Sequence, residues 1–210
     1  MASSCLLIVD DQKAFSHPTH WGSARSNPKY ESNLIRLLAA SRKAGLYIVH
    51  VKHISVEPGS ALGPSAPAPP DHPAGSLGID FNDTSTPIDG EPTIEKNVNS
   101  AFIGTNLEAM LRERGISTLY ITGITTDHCV STTTRMAANL HVCDVTSSDG
   151  TVVPGRIVLV EDATACFMKP HGRFDAETVH AVTVESLDKE FADAVSTDNA
   201  IEKILRHDKV

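Results

Sequence analysis

The stretch Cys5–Asp10, CLLIVD, is an unbroken apolar run that ends in an acid, and it limits the fold more tightly than any other feature of the chain. A strand with one face in water alternates apolar and polar residues, whereas a continuous apolar run has no solvent face. Such a strand belongs inside a sheet that is covered on both sides. The rest of the chain supplies the cover. Residues 28–44 place Leu34, Ile35, Leu37, Leu38 and Ala39 among polar residues just before Gly45, which reads as a helix stopped by a C′ glycine. Further strands are expected over 46–51 (LYIVHV), 93–96, 118–124, 156–161 (RIVLVE) and 191–195, and further helices over 105–114, 127–140, 175–188 and 198–206. Strands alternating with helices predict an α/β three-layer sandwich, a Rossmann-like open and mostly parallel sheet with helices on both faces.

One domain spanning residues 1–210 is expected, with two irregular segments. Residues 54–92 hold eight of the twelve prolines, including PSAPAPP, and read as a Pro-rich surface loop. Residues 141–155, HVCDVTSSDGTVVPG, make an unusually long helix-to-strand connection. They read as a surface insertion with a small hairpin around Asp149-Gly150. A formal charge of −8 argues against nucleic acid and anionic membranes as partners. No apolar run approaches the ~18 residues of a membrane span. The N-terminus shows no basic segment or cleavage pattern, so a cytoplasmic location is expected. Cys5, Cys129, Cys143 and Cys166 lack CxxC spacing and read as reduced thiols, neither a zinc knuckle nor a redox pair. A small molecule is the partner class that remains.

Ligands of an open parallel sheet bind at the carboxyl ends of its strands. Asp10 closes the first strand, Lys96 closes the third, and Cys129 lies just past the fourth, in TGITTDHCV. A cysteine at a strand-to-helix junction has two readings. It can be a thiol whose thiolate is favoured by the helix N-terminus, or a small apolar residue packing the first turn. An acid, an ammonium and a thiol at neighbouring strand ends favour the first, with the thiol as nucleophile, the carboxylate as proton carrier and the lysine holding charge.

The stretches LLIVDDQKAF, EKNVNSAF and TGITTDHCVSTTTRMAANL resemble the three signature regions of the isochorismatase-like cysteine hydrolases. The likeness continues through EDATACF, RFDAETVHAV and EFADAVST and so covers nearly the whole chain. It implies a catalytic triad of Asp10, Lys96 and Cys129. It also implies a cis peptide between Ile124 and Thr125, with the Thr125 and Cys129 amides forming an oxyanion hole. Amidohydrolysis of a small amide or ureido C–N bond through a thioester is the implied activity. Vinyl ether hydrolysis of isochorismate is the alternative, and a non-catalytic interaction protein retaining the fold is a third reading. The retained polar triad weighs against the last.

The nicotinamidase branch of that family holds a metal with an Asp-x-His pair after the second strand. Here the region reads VHVKHIS, so no metal and no other cofactor is expected, although the loop could gather His50, His53, Asp71 and His72. Phe15, Trp21, Phe102 and His128 are candidates for the substrate pocket, and His17 and His20 for facing substrate or a neighbouring subunit. Asp11 stands where the family usually has an apolar residue and is expected to cap a helix or face a partner. Gln12 is expected to brace the loop after the first strand, and Arg135 to pair with an acid. A homo-oligomer is expected, with Val152 and Val153 of the insertion as interface candidates.

Overall fold

The computed structural model describes residues 3–18, 20–22 and 24–207. Six strands form one sheet, β1 (Ser3–Val9), β2 (Tyr47–His53), β3 (Thr93–Lys96), β4 (Ile116–Ile124), β7 (Arg156–Ala165) and β8 (Asp193–Val195), in the order β3-β2-β1-β4-β7-β8. Every neighbouring pair is parallel. The apolar run of β1 is buried on both faces, as its sequence requires. Cys5, Leu7 and Val9 join one core cluster, and Leu6 and Ile8 the other.

On the first face pack α2 (Leu107–Glu113), α3 (Ser131–Asn139) and α4 (Ala176–Leu187), through residues such as Leu107, Leu111, Ala137, Val184 and Leu187. On the second face lie α1 (Tyr30–Lys43) and α5 (Thr197–His207), through Leu34, Leu37, Leu38, Ala200 and Ile204. The end of α1 follows from Gly45, whose φ of 66° is left-handed. Its N–H donates to the Arg42 carbonyl at 3.1 Å and the Leu46 N–H donates to Ser41 at 3.0 Å, a Schellman closure. At the start of α4, the Asp175 carboxylate accepts from the Thr178 N–H at 2.7 Å.

Three elements differ from the sequence expectation. The segment 127–140 is not one helix, because a π-helical turn over Thr126–Val130 precedes α3. Strand β7 runs on to Ala165 instead of ending at Glu161. Its second half alternates polar with small residues, and its register against β4 shifts between Ile121 and Gly123. The 54–92 segment is irregular as expected, but it is stitched down rather than free. Lys13 and Ala14 donate their amides to Asp80 and Gly78 at 2.8 and 2.9 Å, and Leu62 and Ser85 are buried. The insertion does hold a hairpin, β5 (Val145–Thr146) against β6 (Val152–Val153), with both β6 valines exposed.

Candidate active site

Four strands that are consecutive across the sheet, β3, β2, β1 and β4, each deliver a side chain to one point at their carboxyl ends. Lys96 is the last residue of β3, and His53 is the last of β2 and the register partner of Lys96. Asp10 follows β1 with a φ of 54°, left-handed and uncommon outside glycine, which turns the chain off the sheet at the carboxylate. Its N–H is held by the Val51 carbonyl at 3.0 Å. Cys129 lies in the π-helical turn beyond β4. The two strands can approach so closely because residue 123 is glycine. A Cβ there would stand 2.0 Å from the Val9 carbonyl oxygen.

The Lys96 ammonium sits at the centre. It donates to Asp10 Oδ2 at 2.6 Å, to His53 Nδ1 at 3.0 Å and to Cys129 Sγ at 3.3 Å. The side chains of Lys96 and Asp10 are fully buried. Burial pushes the Asp10 carboxyl up, and the Lys96 charge opposes it. The Cys129 thiol is also pushed up, by burial first and the Asp10 charge second, against the pull of Lys96. Burial and the Asp10 charge thus oppose what the helix end and Lys96 favour at the sulfur. His53 is lowered to about 4 by burial and then by the Lys96 charge, so it is neutral at ordinary pH.

Asp10, His53 and Cys129 each turn a possible metal-ligand atom inward, and these atoms lie within 4.8 Å of one another. All three already accept from one ammonium, so a metal ion there would have to displace Lys96. The other histidines weighed as ligands lie elsewhere. His50 points to the opposite side of β2, three residues being an odd step on a strand, and bonds Glu91 at 2.8 Å. His72 bonds Ser16 at 2.7 Å.

Above Cys129 opens a cavity of ≈ 390 Å³. Phe15, Trp21 and His128 line it as expected, and so does Thr125, whose peptide bond with Ile124 is cis. Phe15 stacks on Trp21 with ring centroids 4.6 Å apart, and Phe167 lies behind both. The indole N–H donates to the Ala14 carbonyl at 2.7 Å, so Trp21 offers a ring face rather than a donor. Phe102 is a correction: it is no part of the wall and packs, partly buried, against the core under α2 and α3. His128 Nε2 stands 3.6 Å from the Asp127 carboxylate, which also binds Lys169 at 2.8 Å.

Residues 4–199 match the family profile described as the Isochorismatase domain. The chain belongs to the isochorismatase family. This isochorismatase-family hydrolase is 37% identical over 204 residues to the uncharacterized isochorismatase family protein YrdC of Bacillus subtilis, with 96% of each chain covered. An isochorismatase-family protein from Chromobacterium violaceum has the same fold, with a TM-score of 0.80 and 34% identity over 97% of this chain and 94% of that one. The N-carbamoylsarcosine amidase of an Arthrobacter species is 32% identical over 139 residues, 63% of this chain and 53% of the amidase.

The hydrolase also contains site residues that sequence reasoning missed. His53 was weighed only as a metal ligand, although its place at the end of the strand beside Lys96 was a usable signal. Asn99, 3.8 Å from the Cys129 sulfur, stands inside the quoted EKNVNSAF stretch. Phe167 ends the quoted EDATACF stretch, whereas Lys169, Ser55, Ser60 and Leu62 reach the cavity from loops and carried no local signal. Asp11 neither caps a helix nor faces a partner. It is buried and accepts from Tyr30, Asn82 and Ser85 at 2.9, 3.0 and 2.5 Å, tying α1 and the Pro-rich loop to the site. Gln12 braces the same junction through His53 and Ile79. Among the described residues Arg135 pairs with no acid, bonding Ser186 and stacking on Phe191 instead.

Proposed function

We propose that this hydrolase cleaves a small-molecule amide or ureido C–N bond through a thioester on Cys129. The observation that carries the reading is the single Lys96 ammonium bonded to both Asp10 and Cys129 at the floor of the cavity. Burial and the Asp10 charge disfavour an isolated thiolate at Cys129, so attack and proton transfer are coupled. The Cys129 S–H proton passes to Asp10 as sulfur bonds the carbonyl carbon, and Lys96 steadies the charge as it moves.

The oxyanion is taken by the Thr125 and Cys129 amides, and one such donor is worth about 3 kcal/mol in the barrier. Collapse breaks the C–N bond, and Asp10 returns its proton to the departing nitrogen. Water then gives a proton to Asp10 and its oxygen to the thioester carbon. The C–S bond breaks, and the proton goes back to sulfur. Relatives named N-carbamoylsarcosine amidase and ureidoacrylate amidohydrolase support C–N chemistry for this chain.

The test is ammonia release from a panel of small amides and ureas, run beside isochorismate, with and without chelator. Wild type should turn over at least one amide or urea regardless of chelator, and Cys129→Ala should lose about three orders of magnitude or more. Isochorismate turnover that survives Cys129→Ala would overturn the thiol mechanism and move the chemistry to Asp10.

A further inference from the structure

An ammonium has three hydrogens and no lone pair, so a fully buried lysine needs three acceptors. Lys96 has them in Asp10, Cys129 and His53. The first two take part in the proposed chemistry, and the third has no part in it yet. We propose that His53 is a positioning residue of this reaction. As a neutral imidazole with its lone pair on Nδ1, it holds the third hydrogen of Lys96 and so fixes the other two on the proton acceptor and the nucleophile. The proposal rests on the reading that Cys129 attacks the substrate.

The geometry is built by the sheet and not by side-chain chance. His53 and Lys96 are register partners on adjacent parallel strands, so their side chains leave the sheet on the same side. The His53 backbone is fixed at both its groups by Gln12, whose Oε1 accepts from the His53 N–H at 2.8 Å and whose Nε2 donates to the His53 carbonyl at 3.0 Å. His53 Nδ1 also stands 4.0 Å from the Cys129 sulfur and 4.0 Å from Asp10 Oδ2. Without its acceptor the ammonium would be free to swing toward Asp10 alone, leaving the sulfur with less positive charge beside it.

The imidazole must be neutral to do this, because an N–H on Nδ1 would face the ammonium. Its surroundings keep it so: burial and the Lys96 charge hold its pKa at about 4. The groups facing it are Lys96, Asp10 and Cys129 below, with His20, His128 and Lys169 also lining the cavity.

Two variants separate positioning from mere packing. His53→Leu fills the space with no acceptor, and His53→Gln restores a side-chain oxygen. Each is read by the pH dependence of Cys129 alkylation with iodoacetamide, which needs no substrate, and by kcat and KM on the best amide of the panel. Thermal unfolding identifies the folded fraction, and rates are referred to it. The expected result is that His53→Leu moves the thiol titration upward and lowers kcat about 30-fold or more with KM little changed. His53→Gln should recover both to within about fivefold. An unshifted thiol titration with kcat within twofold of wild type in His53→Leu overturns the proposal, as does His53→Gln behaving like His53→Leu. If no amide is turned over, the alkylation profile still decides the role of His53, so the two readings fail separately.

Discussion

Replacing Lys96 by methionine keeps the side-chain length and removes the ammonium bonded to Asp10, and the cost can be worked from the geometry. At 2.6 Å and an effective dielectric of ~20, the attraction of the two unit charges is about 6 kcal/mol. Desolvation offsets part of this, and breaking a buried pair from one side costs about 3–5 kcal/mol, the loss expected for Lys96→Met at pH 8.

That loss should depend on pH in a definite direction. Burial already raises the Asp10 pKa in the wild type, and the Lys96 charge opposes the rise. Without Lys96 the folded-state pKa climbs further. A carboxyl whose folded pKa lies above its unfolded one binds more protons when native, so stability falls as pH rises between the two. The window reaches higher pH in the variant. The gap between wild type and Lys96→Met should therefore widen by up to about 1.4 kcal/mol per pH unit above the wild-type Asp10 pKa, and level off above the variant's.

Urea unfolding at pH 5 and pH 8 measures both gaps. Asp10→Asn/Lys96→Met, with no carboxyl left to titrate at this point, should lose the pH dependence. A Lys96→Met deficit that is equal at both pH values, or larger at pH 5, would refute the reasoning.

Two other substitutions probe what holds the site. Gly123→Ala puts a methyl group 2.0 Å from the Val9 carbonyl oxygen at a residue with φ of 120°. Denaturant unfolding should show a loss of about 3 kcal/mol or more, and the amide-hydrolysis assay should lose activity with it as β1 and β4 part. Asp11→Ala strips the acceptor from the Tyr30, Asn82 and Ser85 side chains, at about 1–3 kcal/mol for a buried donor left unpaired. Besides that stability loss, steady-state kinetics should show KM rising more than kcat falls, because the loosened loop carries Ser55, Ser60 and Leu62 of the cavity wall.

The order of strands and helices was readable because burial on two faces leaves a continuous apolar run in the sequence. Asp10 was readable for the same reason, since it ends such a run where a parallel sheet binds its ligands, and Lys96 was readable as the last residue of a short strand, TIEK, at the same edge. The end of β7 was not, because residues 161–165 mix acids with small residues and sit across a register shift. Phe102 could not be placed from sequence, because a side chain leaving a turn has no period to fix its direction. Lys169 and Phe167 come to the cavity from a loop far along the chain. Asp11 was misread because its partners, Asn82 and Ser85, lie more than 70 residues away in the proline-rich segment. The depth at which the thiol is buried was not readable, because a helix end is visible in sequence and burial is not.

The assembly of the site from four side-by-side strands has a consequence for how the molecule comes into being. Lys96, His53, Asp10 and Cys129 are brought together by pairings that span tens of residues each, and the spatial order β3-β2-β1-β4 differs from the order in the chain. Contacts so far apart along the chain form slowly compared with local helices. The constellation thus comes into existence only when four of the sheet's six strands have found their register. No emerging or truncated chain that lacks β4 can hold the thiol beside its partners. Chemical competence in this protein is a property of completed topology, and a nascent chain stays inert until the fourth of these strands has docked.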